Sequence, residues 1–383
     1  MLFALSEEQS ELSATVRDLL ARRGDSGSVR RAVTTARGYD EDLWRILCEQ
    51  IGVAGLAIPE EYGGAGCSLL ETHVVLEQLG AALTPCPLLG SGVLAAQAVL
   101  LSGHAESCAR LLPGIADGTV VAALAWAGED GRWHTDRCDV HATRSGGWTL
   151  SGTATLVLDG GAADVLLVVA STGAGQVGLF EVDPAGDGVR RTPTPAMDTT
   201  LQLARIEFDG APGTPLTPDA AGLLGTLYDI AAVAVTALQV GTAQRGLDMT
   251  VAYSKERVQF GRPIGSFQAL KHRMADMLVE VETARSVSWA AAWSAARSEP
   301  DLRHRAALAK AWCSEALNKV ASETVQLHGG IAITWEHDAQ MVFKRAHATS
   351  QLFGQPHEHR QRLFRLLGLA RGPAAADPAS AVS

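Results

Sequence analysis

The sequence predicts an α+β multidomain protein in which helices come first, a compact β unit follows, and helices return. Three observations carry this. Apolar residues recur at steps of three and four before about residue 115 and again after about 219. Short β-prone runs fill the stretch between 118 and 217. Clusters of Gly, Asp and Pro separate those runs, as in GEDG, DGGAAD and DPAGDG. A chain of 383 residues has length for two or three such units.

The N-terminal zone, 1–117, opens with a helix signal. Ser6 supplies a capping hydroxyl, and Glu7 and Glu8 favour the positive helix end. Leu12, Val16, Leu19 and Leu20 continue the helical spacing. A second amphipathic helix is predicted near 42–51, then a loop over 59–66, then a helix near 69–83 that stops before Pro85 and Pro87. In the β zone, 118–218, strands are expected near 120–126, 148–150, 155–158, 165–170, 177–182 and 202–208, forming a small antiparallel sandwich or barrel. The C-terminal zone, 219–371, is helical. Leu270, Met274, Met277, Leu278, Val281 and Ala284 form one apolar stripe, and a further helix near 302–327 ends at Gly329 and Gly330. Residues 372–383 read as a flexible, low-complexity tail.

Composition narrows the function. The net charge is -10, with 32 basic against 42 acidic residues, which argues against a nucleic-acid face. The six cysteines stand at 48, 67, 86, 108, 138 and 313 without CxxC or zinc-type spacing, so no metal site is expected and the thiols read as reduced. The N-terminus lacks a secretory pattern, and no apolar run approaches the roughly 20 residues that span a bilayer. The expectation is a soluble cytoplasmic protein without a membrane partner.

Three segments carry chemistry. YSKERVQFGRPIGSFQALKHR over 253–273 places Arg257 and Gln268 around a Gly/Pro-rich break between helices. VQLHGGIAITWEH over 325–337 contains a glycine pair after a long helix, and GLAIPEEYGGAG over 55–66 forms an N-terminal loop. Together, in this order, they resemble the acyl-CoA dehydrogenase family. The resemblance implies an N-terminal α domain, a central antiparallel β domain and a C-terminal four-helix bundle. It also implies a tetramer, with FAD between the β domain and the bundle and its ADP half reaching a neighbouring subunit.

The residues agree with that implication where chemistry can be checked. Arg257 offers the planar fork that suits a pyrophosphate, or is a surface arginine. Phe260 packs on the cofactor or plugs the gap between helices. Gln268 matches a position on the ADP half. Gly329 and Gly330, with Gln326, Leu327 and His328 before them, allow close backbone approach to a bulky ligand or simply end a helix. His328 by itself reads as structural.

The catalytic residue stays unassigned. α,β-Dehydrogenation needs a carboxylate within reach of the α-proton, and the family seats it in one of two places. Phe353 stands at the first. Ala231 stands at the second, with Ala232 where the family has an arginine. The helical face of Ala231 carries Tyr228, Val235 and Leu238, none an acid, and Asp229 points about 200° away. It reads as an acid favoured by the helix dipole. The β zone also departs from the family: AWAGEDGRW over 125–133 replaces its Thr-Glu-Pro segment, and Leu156 and Leu158 replace its Trp-x-Thr. VLDG over 157–160 resembles a divergent subgroup that works in heteromeric pairs.

Three functions follow as expectations. One is an FAD-dependent, acyl-CoA dehydrogenase-like subunit whose base comes from a paralogous partner. Its substrate would be an acyl-CoA or acyl carrier protein thioester, with electron-transfer flavoprotein as acceptor. Another is a homo-oligomeric flavoprotein with divergent, monooxygenase-like chemistry. The last is a non-catalytic scaffold.

Overall fold

The computed structural model describes residues 4–173 and 175–369, so the predicted tail lies outside the described residues. Helix α1 (Glu7–Arg23) begins at a reciprocal cap: the Ser6 hydroxyl accepts from the Gln9 amide, and Gln9 Oε1 accepts from the Ser6 amide. Asp25 and Asp40 cap α2 (Ser26–Ala32) and α3 (Glu41–Ile46). The predicted helix near 42–51 continues past α3 as a π-helical turn, Leu47–Ile51, ending at Gly52. Helix α4 (Leu69–Ala82) is boxed by Ser68 and Glu71. Pro87 does not hold the chain out of helix. It caps a fully buried π-helical segment, Leu88–Ala95, that leads into α5 (Ala96–Ser102), and α6 (Ala105–Ala116) follows.

The β zone is a barrel. Its strands are β1 (Ala122–Ala125), β2 (Val140–Arg144), β3 (Trp148–Leu158), β4 (Val165–Gly173), β5 (Gln176–Val182), β6 (Val189–Pro193) and β7 (Leu203–Thr217). The order β4-β2-β3-β7-β5 closes because β5 pairs back on β4. Leu150, Val157, Leu166, Val168, Phe180, Ile206 and Phe208 fill the interior. Most pairings are antiparallel as expected, but β1 and β2 both meet β4 in parallel. The two runs expected at 148–150 and 155–158 are one strand. A register shift between Ala154 and Val157 bends it, with Leu156 at φ 49°.

Helix α7 (Ala221–Glu256) is followed by a small hairpin, β8 (Val258–Gln259) with β9 (Arg262–Pro263), then α8 (Gln268–Ala296), α9 (Leu302–His328), α10 (Ala339–Gln351) and α11 (Pro356–Leu366). By length and composition α7 could cross a membrane, contrary to the reading of its apolar runs, but 67% of its most apolar window is buried. It is the core helix of the bundle. Ala231, Val235, Ala237 and Leu238 share one cluster with α4, the π-helical segment and Phe353.

Candidate functional site

The predicted cofactor residues gather at one end of the bundle. Helix α7 ends where α8 begins, and α9 ends beside them. Tyr253 of α7 stacks on His328 of α9 with ring centroids 4.5 Å apart. Gly329 caps α9 at φ 66°, ψ -146°, a region open essentially to glycine alone. A Cβ on Gly329 or Gly330 would meet nothing within 4 Å, so the space in front of the pair is open. Arg257, Gln268 and Gln326 are exposed. The Arg257 guanidinium makes no ion pair or hydrogen bond among the described residues. Phe260 sits at the hairpin tip with φ 54° and is 90% exposed, its ring edge-on to Phe267 with centroids 6.1 Å apart.

Leu327 and His328 turn the other way, into the core. His328 Nδ1 lies 2.7 Å from the Thr324 carbonyl. A carbonyl only accepts, so that nitrogen carries the proton, and burial holds the imidazole below its usual pKa. Any contact from these two residues to a ligand would be through backbone.

The second place is the seam between barrel and bundle. Phe353 follows α10 with φ 53° and is 1% exposed. Its ring lies 4.7 Å from that of Trp133, in the loop after β1, and Arg132 of that loop pairs with Glu358 of α11 at 3.2 Å. Trp126 is buried, donates to the His134 carbonyl at 2.6 Å, and meets Tyr228 edge-on. Ala231 and Ala232 are fully buried. Phe353, Ala231 and Ala232 are thus buried side chains that cannot take a proton.

Asp229 requires a correction. It sits beyond the first turn of α7, where a dipole effect has faded, and its carboxylate bonds Arg362 Nη1 at 2.5 Å with Arg303 4.0 Å away. Burial raises its pKa against the pull of Arg362. It is a buried ion-pair acid.

Four functional-looking groups escaped sequence reasoning. Asp159, at φ 57°, is buried against Gly90 of the π-helical segment, where a Cβ would collide with its carboxylate, and burial pushes it up to about 7. Arg345 of α10 and Asp198, between β6 and β7, form a buried ion pair at 2.7 Å, with Thr200 bonded to both. Lys310 and His359 are enclosed beneath the Phe353 turn. For Lys310 a signal existed: it falls on the helical stripe of Ala306, Ala307, Ser314 and Leu317. The two partners of the Asp198–Arg345 pair are 147 residues apart, beyond the reach of periodicity. An open groove of about 710 Å³ between α1, α4 and α7, lined by Arg17, Glu77, Arg245 and Arg285 among others, contains none of the predicted residues.

Two family models match the chain, "Acyl-CoA dehydrogenase, N-terminal domain" over residues 6–119 and "Acyl-CoA dehydrogenase, C-terminal domain" over 226–365. Acyl-CoA dehydrogenase IpdE2 of Mycolicibacterium smegmatis is 43% identical over 94% of this chain and 98% of its own. The chain belongs to the acyl-CoA dehydrogenase family. Among solved structures, a variant of the steroid acyl-CoA dehydrogenase Tcur3481-Tcur3483 superposes with TM-score 0.86 at 34% identity, covering 94% of this chain and 98% of that one. The ChsE4-ChsE5 complex of Mycobacterium tuberculosis gives 0.87 at 32% identity, over 97% and 100%. Family membership brings FAD as cofactor, and the bundle end fits it. The unpaired Arg257 cation and the open space before Gly329 and Gly330 suit a phosphate-bearing group.

Proposed function

We propose that the chain is one subunit of an FAD-dependent acyl-CoA dehydrogenase that desaturates an acyl thioester between its α and β carbons, with a paralogous chain supplying the base. One observation carries this reading: Phe353 and Ala231 stand where the family resemblance seats the carboxylate, buried and chemically inert, while Arg257, Gln268, Gly329 and Gly330 at the bundle end stay exposed. Asp229 is committed to Arg362, and Asp159 is enclosed against Gly90.

In this reading Arg257 and Gln268, with the backbone at Gly329 and Gly330, hold the pyrophosphate and ADP half of FAD. FAD, when bound, accepts the β-hydride. Arg257 neutralises phosphate charge, and its always-charged fork keeps that function across pH. The exposed Phe260 offers a second chain an apolar anchor, consistent with a cofactor held between subunits in a tetramer. The α-proton passes to the partner's carboxylate, and electron-transfer flavoprotein reoxidises the complex.

Support for a heteromer comes from the two solved relatives, each named as a pair of chains. One is named as a steroid enzyme, which favours a ring-bearing acyl group on CoA here. The small Ala231 and Ala232 are compatible with such bulk. The setting is a soluble, cytoplasmic assembly. The test is an absorbance spectrum of the chain purified alone and with its paralogue, then anaerobic titration with acyl-CoAs. Flavin bleaching only in the pair supports the proposal. Bleaching by the chain alone overturns it.

A further inference from the structure

The turn that carries Phe353 is held from beneath by a buried lysine that forms no salt bridge among the described residues. Lys310, on α9, is 0% exposed. Its Nζ donates to the Gly354 carbonyl at 3.1 Å, the Ser350 carbonyl at 3.3 Å and the Ser314 hydroxyl at 3.2 Å. Two of these acceptors flank Phe353 in sequence. The third joins a buried chain, because Ser314 also accepts from Gln239 Nε2 of α7 at 2.9 Å.

A second group grips the same turn. His359 Nε2 lies 2.7 Å from the Phe353 carbonyl and therefore carries the proton. Its ring stacks on Tyr228, one turn before Ala231. Gly354, at φ 96°, closes the space: a Cβ there would sit 2.5 Å from the Tyr228 hydroxyl and 3.0 Å from His359 Nε2.

This is an expensive arrangement. Burial desolvates the Lys310 amine and pushes it down to about 7, against the pull of Cys313 and Glu358. Phe353 itself sits in a left-handed conformation that a bulky residue avoids. Such features persist where the surroundings over-determine them, and they cluster at sites. What they determine here is the reach of one aromatic ring into the seam, where it meets Trp133 at 4.7 Å.

We propose that Lys310 is a positioning residue whose side-chain amine fixes the height of the Phe353 ring in the seam, and that Phe353 is the side chain that sets how bulky an acyl group the site admits. This rests on the proposed function, and takes the acyl thioester to enter the seam beside Phe353 and Ala231, where the family resemblance seats the base. Lys310 touches no substrate. It acts through the carbonyls on either side of Phe353, and a relaxed turn lets the ring retreat.

The test uses the reconstituted complex with its paralogue and two substrates, a short linear and a ring-bearing acyl-CoA. Phe353→Ala should raise the kcat/KM ratio of bulky to linear substrate by about tenfold, the order expected for reshaping an apolar pocket. Lys310→Met, close in volume but without donors, should move the ratio the same way by less. In the double variant Lys310→Met should add nothing to Phe353→Ala, because the two act in series. Multiplying effects, or an equal loss on both substrates in Lys310→Met, would overturn the proposal.

A second readout needs no turnover and separates failure here from failure of the functional reading. In the chain labelled with 5-fluorotryptophan, the Trp133 resonance, assigned with Trp133→Phe, should move in Lys310→Met toward its position in Phe353→Ala. Lys310→Gln keeps an N–H donor and should hold it nearer the wild-type position. A Trp133 resonance unmoved in Lys310→Met, or moved as far in Lys310→Gln as in Lys310→Met, refutes the clamp.

Discussion

Replacing Arg345 with methionine should destabilise the chain more than any exposed substitution. Arg345 is 1% exposed and Asp198 is 3% exposed, so the pair has almost no help from solvent. Removing one partner of a buried pair costs about 3–5 kcal/mol, since it strands the other charge. Here the cost should fall near about 3 kcal/mol. Asp198 keeps its bonds from the Thr200 amide and hydroxyl, and Arg345 Nη1 already lacks a hydrogen-bond partner, so less is lost than in a fully satisfied pair. Substituting both, Arg345→Met with Asp198→Leu, should recover most of that loss, because an apolar pair of similar volume avoids the desolvation cost. The assay is urea unfolding of the full chain at one protein concentration, followed by circular dichroism and tryptophan emission. A single variant within about 1 kcal/mol of wild type, or a double variant as unstable as the single, would refute this assignment of the pair.

Further outcomes follow from the same structure. Burial pushes the folded Asp159 carboxyl up to about 7, well above the usual carboxylate range, so the unfolded state releases its proton first, and stability should fall as pH rises from that range to about 7. Asp159→Asn should therefore stabilise the chain at pH 8 and much less at pH 4, read as the shift in urea midpoint at each pH. Gly354→Ala should cost about 1–3 kcal/mol by the same unfolding assay, since the added Cβ meets Tyr228 and His359 in an already left-handed turn. Arg257→Gln should weaken FAD retention by the complex roughly tenfold or more, the worth of a charge-assisted contact, measured by fluorescence titration of flavin into the apo complex. Wild-type flavin affinity in that variant would remove Arg257 from the cofactor site.

Much of the fold was legible because it rests on local signals. Ser6, Ser68 and the apolar stripe of α8 mark helices through caps and spacing that reach only a few residues. The barrel was legible as a class, since turn clusters alternate with apolar runs. Its parallel β1–β4 pairing was not, because pairing partners are chosen by tertiary closure. Strand β2 was missed for a related reason: VHATR buries only alternate positions and is too polar to stand out as a run. Helix α4 ends at Ala82, before Pro85, as the breaker signal predicts, but that signal governs the residues before a proline and says nothing of the π-helical segment after Pro87.

The site divides in the same way. Arg257, Gln268 and the glycine pair lie in contiguous motifs, and the structure brings them to one end of the bundle. The seam is built from distant residues instead. Phe353 is seated by Lys310 and His359, Trp133 comes from the barrel, and Tyr228 comes from α7. No spacing rule links these four elements. The resemblance led to Phe353 and Ala231, but nothing in the sequence told what packs around them.

The most direct measurement is flavin content and its reduction under anaerobic conditions, chain by chain. The account predicts that this chain alone is not bleached by any acyl-CoA, and that mixing it with its carboxylate-bearing paralogue yields a complex whose flavin bleaches within the mixing experiment. Stoichiometric reduction of flavin bound to this chain by itself would contradict it.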